Sequence, residues 1–297
     1  MAATAVRVVS LLPAGTELVA ALGRLDALVG VTHECDFPAE AALRPRVTRS
    51  AVDDRAGAAA VDAQVRALSA AGAPLFTLLE DEIRRLAPTV IITQALCDVC
   101  AVSEQDVRAL ADRITPVPVV VTLGASTLDG VLDEAELVAQ SLGMPGRGRQ
   151  LANELRARMR AVHEALKAAR APRPRVAVIE WTEPVYAAGH WVPDMVRRAG
   201  GIDVLAEPGE HSRPRSVDEV RNAEPEVIVF APCGYDAPRA EAEMTRTLAR
   251  DEWAWARDRR CVAADANAFI SRPGPRLVDG VEWLAATFNP EVMEDRK

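Results

Sequence analysis

The chain has 297 residues, of which 49% are hydrophobic, so it is long enough to bury two substantial cores. Its 35 basic and 43 acidic residues give a formal net charge of -8, and no basic stripe accompanies the arginines, which argues against a nucleic-acid partner. The 5 cysteines are an odd number with one close pair, which does not indicate a disulfide scaffold.

The first block of the chain predicts alternating strands and helices. Apolar runs bounded by turn residues are typical of buried parallel strands, and the segments between them have helical spacing. The predicted strands cover 6–12, 28–32, 89–93 and 117–122, with a short extended piece at 75–77. The predicted helices cover 16–22, 61–71, 80–86 and 128–142. This alternation predicts an α/β lobe with a mainly parallel sheet over residues 1–145.

A long amphipathic helix is predicted over 147–171. The apolar residues that recur at helical spacing are Leu151, Leu155, Met159, Val162 and Leu166. Pro172 and Pro174 then prevent the helix from continuing. We interpret residues 146–172 as a single backbone helix that joins two lobes with a ligand cleft between them. A long helix packed on one sheet is the alternative.

The second block repeats the alternation over residues 173–297. Its predicted strands cover 175–180, 184–187, 227–231 and 261–264. Its predicted helices cover 192–199, 241–249, 253–255 and 275–288, and Ser216 opens a further helix. The block therefore predicts a second α/β lobe.

Several reactive side chains follow predicted strand ends, which is where parallel α/β sheets bind ligands. Thiolates and imidazoles are ligands for zinc, iron-sulfur centres or cobalt. One hypothesis is a metalloprotein in which Cys35, Cys97 and Cys100 bind zinc or an iron-sulfur centre, with Cys233 or His33 as a fourth ligand. Alternatively Cys35 and Cys233 are small buried apolar residues, and the Cys97-x-x-Cys100 pair is a redox disulfide. His33 and His190 lie in the same strand-end segments.

Trp181 and Trp191 are candidates for stacking on a planar ligand, and Arg272 for holding a carboxylate or amide arm. No nucleophile elbow and no zinc-protease helix motif is present in the sequence, so no motif supports hydrolase chemistry.

The sequence also carries a family resemblance over 6–288. The segments that carry it are VVSLLPAGTELVAALG, LVGVTHECDFP, APTVIITQ, AAGHWVPDMVRRAGG and SRPGPRLVDGVEWLA. In this order they resemble the cobalamin-binding branch of the class III periplasmic substrate-binding proteins, which feed vitamin B12 and iron-siderophore ABC importers. The resemblance implies two α/β lobes joined by one long helix. It also implies a binding protein without catalysis, whose ligand is cobalamin, a corrinoid or a related metal-tetrapyrrole.

The same resemblance implies which residues bind the ligand and which residues dock onto a membrane permease. The ligand-binding positions that match the family are Pro13, Gly15, Thr16, His33, Glu34, Phe37, Gln94, His190, Trp191, Phe269 and Arg272. Asp81 and Asp218 match the acidic residues that dock onto a membrane permease; ordinary helix N-terminal charge is the alternative.

The start of the chain bears on location. Pro13, Thr16 and Glu17 interrupt its only apolar run, so the sequence predicts no signal peptide, and no segment is long and apolar enough to span a membrane. We therefore expect a cytoplasmic protein of an unexported, cysteine-containing subgroup, or a periplasmic one if the true start lies upstream.

Overall fold

The computed structural model describes residues 5–95 and 102–294. The chain divides into two compact units. The first comprises Met1–Asp53, Ala63–Ala125 and Gly130–Asn153, and the second comprises Asp54–Asp62, Ser126–Asp129 and Glu154–Lys297. The lobe boundaries predicted after residues 145 and 172 stay predictions.

The first unit contains a four-stranded parallel sheet and a two-stranded antiparallel one. Its strands are β1 (Val8–Ser10), β2 (Leu28–Val31), β3 (Thr48–Ser50), β4 (Phe76–Leu78), β5 (Val90–Gln94) and β6 (Val119–Leu123). The parallel sheet has the order β2-β1-β5-β6, and β3 pairs with β4. The central strands β1 and β5 are buried almost throughout because helices cover parallel sheets on both faces.

Five α-helices precede the long helix within the described residues. They are α1 (Pro13–Ala21), α2 (Ala58–Ala70), α3 (Glu80–Leu86), α4 (Glu104–Ala111) and α5 (Leu128–Ser141). The bounds of α3 agree with the prediction. Helix α1 begins three residues earlier than predicted because Pro13 occupies its first turn, where a missing N–H costs nothing. Strand β3 was missed because it has only three residues, two of them exposed.

The predicted long helix is α6 (Arg147–Ala168). All five apolar residues that defined its pattern are buried, so the amphipathic interpretation is confirmed. Within the first unit, α6 approaches α5 closely at Gly148, where an added Cβ would lie 2.3 Å from the carbonyl oxygen of Ala135. The chain passes from the first unit to the second within this helix.

The second unit contains one six-stranded mixed sheet. Its strands are β7 (Arg175–Thr182), β8 (Val185–Ala187), β9 (Ile202–Asp203), β10 (Arg213–Pro214), β11 (Val227–Phe230) and β12 (Arg260–Ala263). The order is β10-β8-β7-β11-β12, with β9 also paired to β7. Strands β7, β9, β11 and β12 are parallel, whereas β8 and β10 pair antiparallel.

The helices of the second unit cover its sheet. They are α7 (Val192–Arg198), α8 (Val217–Asn222), α9 (Ala237–Ala249), α10 (Ala266–Phe269), α11 (Leu277–Phe288) and α12 (Pro290–Glu294). Ser216 caps α8 as predicted. Asp236 caps α9 and extends it four residues before the prediction, and Asp265 caps α10, which was not predicted. Residues Asp251–Ala256 form a 3₁₀ helix.

Two units with mainly parallel sheets and covering helices confirm the predicted α/β fold class. No helix within 5–95 and 102–294 has both the length and the apolar character needed to cross a bilayer.

Candidate functional site

In the first unit, the predicted site residues follow the ends of parallel strands. Pro13 begins α1 just after β1, His33 follows β2, and Gln94 is the last residue of β5. Because β1, β2 and β5 run in one direction, their carboxyl ends share one edge of the sheet. The structure therefore brings these three positions to the same edge.

Two of the residues predicted to contact a ligand are buried in the structure. Thr16 is buried, and its hydroxyl lies 3.1 Å from the Cys35 thiol. Gly15 is also buried, and a Cβ there would lie 2.8 Å from side-chain atoms of Ser10 and Ile92. Gly15 and Thr16 are therefore packed against their own unit, and their contact with a ligand stays a prediction.

Cys35 is packed as a structural residue. It is fully buried, and the hydroxyls of Thr16 and Thr32 lie 3.1 Å and 3.3 Å from its sulfur. Across the described ranges, no group of three or more His, Cys, Asp or Glu side chains could hold a metal ion. The burial of Cys35 fits the alternative of a small buried residue. The predicted ligands Cys97 and Cys100 lie outside the described residues.

The loop after β2 presents partly exposed rings on a rigid backbone. Phe37 is 46% exposed. The His33 ring nitrogen Nδ1 lies 2.7 Å from the Thr48 hydroxyl, and its ring centroid lies 5.5 Å from that of Phe76. Arg46 donates to two carbonyl oxygens of the loop at 2.6 Å and 2.7 Å, which fixes its path. Glu34 lies in the same loop and is exposed.

The turn after β6 is held by a buried acid. The Oε1 atom of Glu134 accepts hydrogen bonds from the backbone N–H groups of Gly124 and Ala125 at 2.5 Å and 2.8 Å. Burial raises the pKa of Glu134, although these two bonds oppose the change. The sequence did not single out this residue because a glutamate on an amphipathic helix is usually solvated.

In the second unit, Trp181 lies near the carboxyl end of β7. Its indole N–H donates to the carbonyl of Glu183 at 3.1 Å, and its ring meets the edge of Tyr235 with centroids 5.8 Å apart. The guanidinium of Arg239 lies 4.0 Å from the centroid of the Tyr235 ring. Burial raises the pKa of Tyr235. Trp181 is half-buried, so part of its ring remains available to a ligand.

The ring of Trp191 is buried in the structure. It is 5% exposed, and its indole N–H donates to the carbonyl of Ile270 at 2.7 Å. The ring of Trp191 is therefore part of the core, and its stacking on a ligand stays a prediction. The adjacent His190 is only half-buried, and its Nε2 lies 3.2 Å from Nδ1 of His211. Burial, and secondarily His211, lowers the pKa of His190.

The remaining predicted residues of the second unit are at least partly exposed. The half-buried ring of Phe269 stacks on Trp283 with centroids 6.0 Å apart and planes inclined by 16°. Arg272 is half-buried in the turn before α11, where its carbonyl accepts from Gly274. Cys233 follows β11 and is exposed, so its interpretation as a buried apolar residue is wrong.

The two acidic docking candidates have similar local structures. Asp81 lies in the first turn of α3 and is fully exposed, and Asp218 lies in the first turn of α8 and is 72% exposed. Each pairs with an arginine three residues later, Arg84 or Arg221. Exposed pairs of this kind stabilise a fold by less than about 1 kcal/mol.

Comparison with known proteins identifies the relatives. The family model described as "Periplasmic binding protein" matches residues 8–254. A vitamin B12-binding protein of Vibrio cholerae serotype O1 is 22% identical over 282 residues, which cover 94% of this chain and 87% of that protein.

Among solved structures, the periplasmic haem-binding protein of Roseiflexus sp. RS-1 is 23% identical, with a TM-score of 0.71 over 97% of this chain and 100% of that one. The periplasmic vitamin B12-binding protein of Vibrio cholerae is 22% identical, with a TM-score of 0.65 over 97% of each chain. At these identities the structural likeness establishes the fold.

These findings overturn the predicted cytoplasmic location. The matching family is one of periplasmic binding proteins, and both of these solved relatives are periplasmic, which points to the periplasm. They give no support to the alternative of a zinc or iron-sulfur protein.

Proposed function

Because this chain belongs to the periplasmic binding protein family, we propose that it binds cobalamin or a related corrinoid and delivers it to an ABC importer. Members of this family are substrate-binding components of transport systems. The corrinoid assignment is supported by curated relatives named vitamin B12-binding proteins, which match 94% of the chain. The proposed role is binding without catalysis.

The observation that carries the proposal is the set of partly exposed aromatic rings beside the strand ends. Phe37 and Phe76 supply them in the first unit, and Trp181 and Phe269 in the second. A tetrapyrrole presents a broad apolar face, and aromatic rings gain both burial and stacking energy against such a face. Arg272 supplies hydrogen-bond donors for the polar arms. The location predicted for the ligand, and an axial contact from His33 or His190, stay predictions.

Glu34 and Asp36 favour a corrinoid over haem. Both carboxylates are exposed in the loop that carries Phe37. A carboxylate accepts hydrogen bonds from the amide N–H groups that surround a corrin ring, whereas it repels the propionate carboxylates of haem. The charge of this loop therefore matches the corrinoid.

The proposal is tested by titrating the full chain with hydroxocobalamin, followed by absorbance and calorimetry. We expect saturable binding of one corrinoid, weakened about tenfold or more in Phe37→Ala and in Trp181→Ala because each loses a stacking face. Val117→Ala is the matched control: Val117 is 62% exposed but precedes β6, at the amino end of the strand. Tighter saturable binding of haemin or a ferric siderophore would contradict the corrinoid assignment.

We also propose that Asp81 and Asp218 dock onto arginines of the permease. Each carboxylate is exposed, and its local ion pair is weak enough to be exchanged for a partner's arginine. In proteoliposomes with the cognate permease, the double variant with Asp81→Ala and Asp218→Ala should lose uptake while its affinity for hydroxocobalamin is unchanged. Asp26→Ala, at another exposed aspartate, should keep both. Uptake at the unmodified rate in the double variant would refute the docking role.

A further inference from the structure

Two histidines from distant parts of the second unit meet side by side. His190 follows β8, and His211 precedes β10, 21 residues later. The Nε2 atom of His190 lies 3.2 Å from Nδ1 of His211. The two ring planes are inclined by 87°. His211 is exposed and His190 is half-buried, so solvent reaches the pair.

The backbone holds the two imidazoles in this arrangement. The N–H of His190 donates to the carbonyl of Glu210 at 2.6 Å, and the carbonyl of His190 accepts from Gly209 at 2.8 Å. At Gly189 an added Cβ would lie 2.5 Å from the carbonyl oxygen of Glu210, so the two segments are in direct backbone contact. The segment that carries His190 is therefore fastened to the segment that carries His211.

The conformation of His190 is itself unusual. Its φ is +54°, in the left-handed region that side chains other than glycine seldom occupy and that costs about 1 kcal/mol or more. The hydrogen bonds to Glu210 and Gly209 hold it there. Such local strain occurs often where a side chain must point in one direction for binding.

We propose that His190 and His211 together coordinate one divalent transition-metal ion of the class that prefers imidazole, namely Zn²⁺, Ni²⁺ or Cu²⁺. Two metal–nitrogen bonds of about 2.0–2.1 Å at a tetrahedral angle place their nitrogens about 3.3 Å apart. The observed separation of 3.2 Å is already close to that value, so rotation of the rings is the main adjustment.

Water completes the coordination shell. Within 5–95 and 102–294, no set of three or more His, Cys, Asp or Glu side chains could bind one ion. Two imidazoles with water ligands give a site of moderate affinity. The ion displaces the hydrogen bond between the rings.

The two imidazoles acting together take a free ion, because they cannot both bind the metal of one tetrapyrrole. Nitrogens 3.2 Å apart occupy adjacent positions on a metal, whereas a macrocycle leaves only the two opposite axial positions to the protein. The inference therefore stands independently of the proposed corrinoid binding, and a chain that failed to bind corrinoid would still be expected to bind the ion.

The test is calorimetric titration of the full chain with NiCl₂ and ZnCl₂ after its accessible thiols have been blocked with N-ethylmaleimide. We expect one ion per chain, and binding weakened about tenfold or more in His211→Ala and in His190→Asn. Asparagine is chosen at 190 because it tolerates a positive φ. His163→Ala is the control, since His163 is an exposed histidine on α6 and its loss should leave binding unchanged.

Electron spin resonance with one equivalent of Cu²⁺ provides a second readout. The unmodified chain should show coupling to two imidazole nitrogens, and His211→Ala to one. Equal affinity in the unmodified chain and in both variants, or no saturable binding of one ion per chain, would overturn the proposal. Circular dichroism of His211→Ala, whose side chain is exposed, checks that the variant is folded.

Discussion

Replacing Asp203 with asparagine should change how the stability of the protein depends on pH. Asp203 ends β9, and its Oδ1 accepts hydrogen bonds from the backbone N–H groups of Leu205 and Ala206 at 2.9 Å and 3.0 Å. Its Oδ2 is buried without a hydrogen-bond partner among the described residues. Burial, opposed by these backbone bonds, raises the pKa of Asp203 from 3.8 to about 6.

The direction of the effect follows from this raised pKa. The folded chain binds the Asp203 proton more tightly than the unfolded chain, so this proton stabilises the fold fully below about pH 4. That contribution is lost as the pH rises through about 6. A shift of about two pH units corresponds to about 3 kcal/mol in the free energy of unfolding. Asp203→Asn keeps an Oδ1 acceptor for both backbone bonds but removes the titration.

The assay is urea unfolding of the two proteins, followed by tryptophan fluorescence between pH 4 and pH 7.5. The free energy of unfolding of the unmodified chain, minus that of Asp203→Asn, should fall by about 2–3 kcal/mol across this range. Asp218→Asn, at an exposed side chain, controls for the loss of one carboxylate charge. A difference that stays constant within about 0.5 kcal/mol from pH 4 to pH 7.5 would refute the reasoning.

Three further predictions test a close helix contact, the accessibility of two thiols and a buried hydrogen bond. Gly148→Ala should lower the thermal midpoint of unfolding by several degrees, because its Cβ would overlap the Ala135 carbonyl; an unchanged midpoint would contradict the close approach of α5 and α6. A maleimide should label Cys233 rapidly in the folded chain and Cys35 only after unfolding; rapid labelling of Cys35, detected by peptide mass mapping, would contradict its burial. Thr182→Val should lower the free energy of unfolding in urea by about 1–3 kcal/mol, because the buried Glu243 carboxylate loses the hydroxyl that donates to its Oε1 at 2.6 Å. An unchanged free energy of unfolding would show that this hydrogen bond contributes nothing to stability.

Local sequence signals were sufficient for most of the secondary structure. Helix α3 has its predicted bounds, and Ser216 caps α8 through a capping box that four consecutive residues encode. The strands β5 and β11 were predicted within one residue at each end because they are short apolar runs bounded by turns. Short polar strands such as β3 carry no such signal and were missed.

The availability of the candidate site residues was much harder to predict. Trp181 and Trp191 both follow or end predicted strands, and nothing in their immediate neighbours distinguishes them. Trp181 is half-buried in the structure. Trp191 is buried, and its indole N–H donates a hydrogen bond to the carbonyl of Ile270, 79 residues away. Likewise no sequence pattern predicted a role for His211, because its partner His190 is 21 residues away along the chain.

The sequence by itself therefore determined the α/β class, the long helix and the strand ends at which a ligand-binding site is expected. Spacing, caps and apolar runs are properties of neighbouring residues, and they act before any tertiary contact forms. Only the tertiary structure decided that Thr16 and Trp191 are enclosed, that Phe37 remains exposed and that His190 meets His211. Exposure and pairing depend on which distant segments pack against a side chain, and no local pattern specifies those segments.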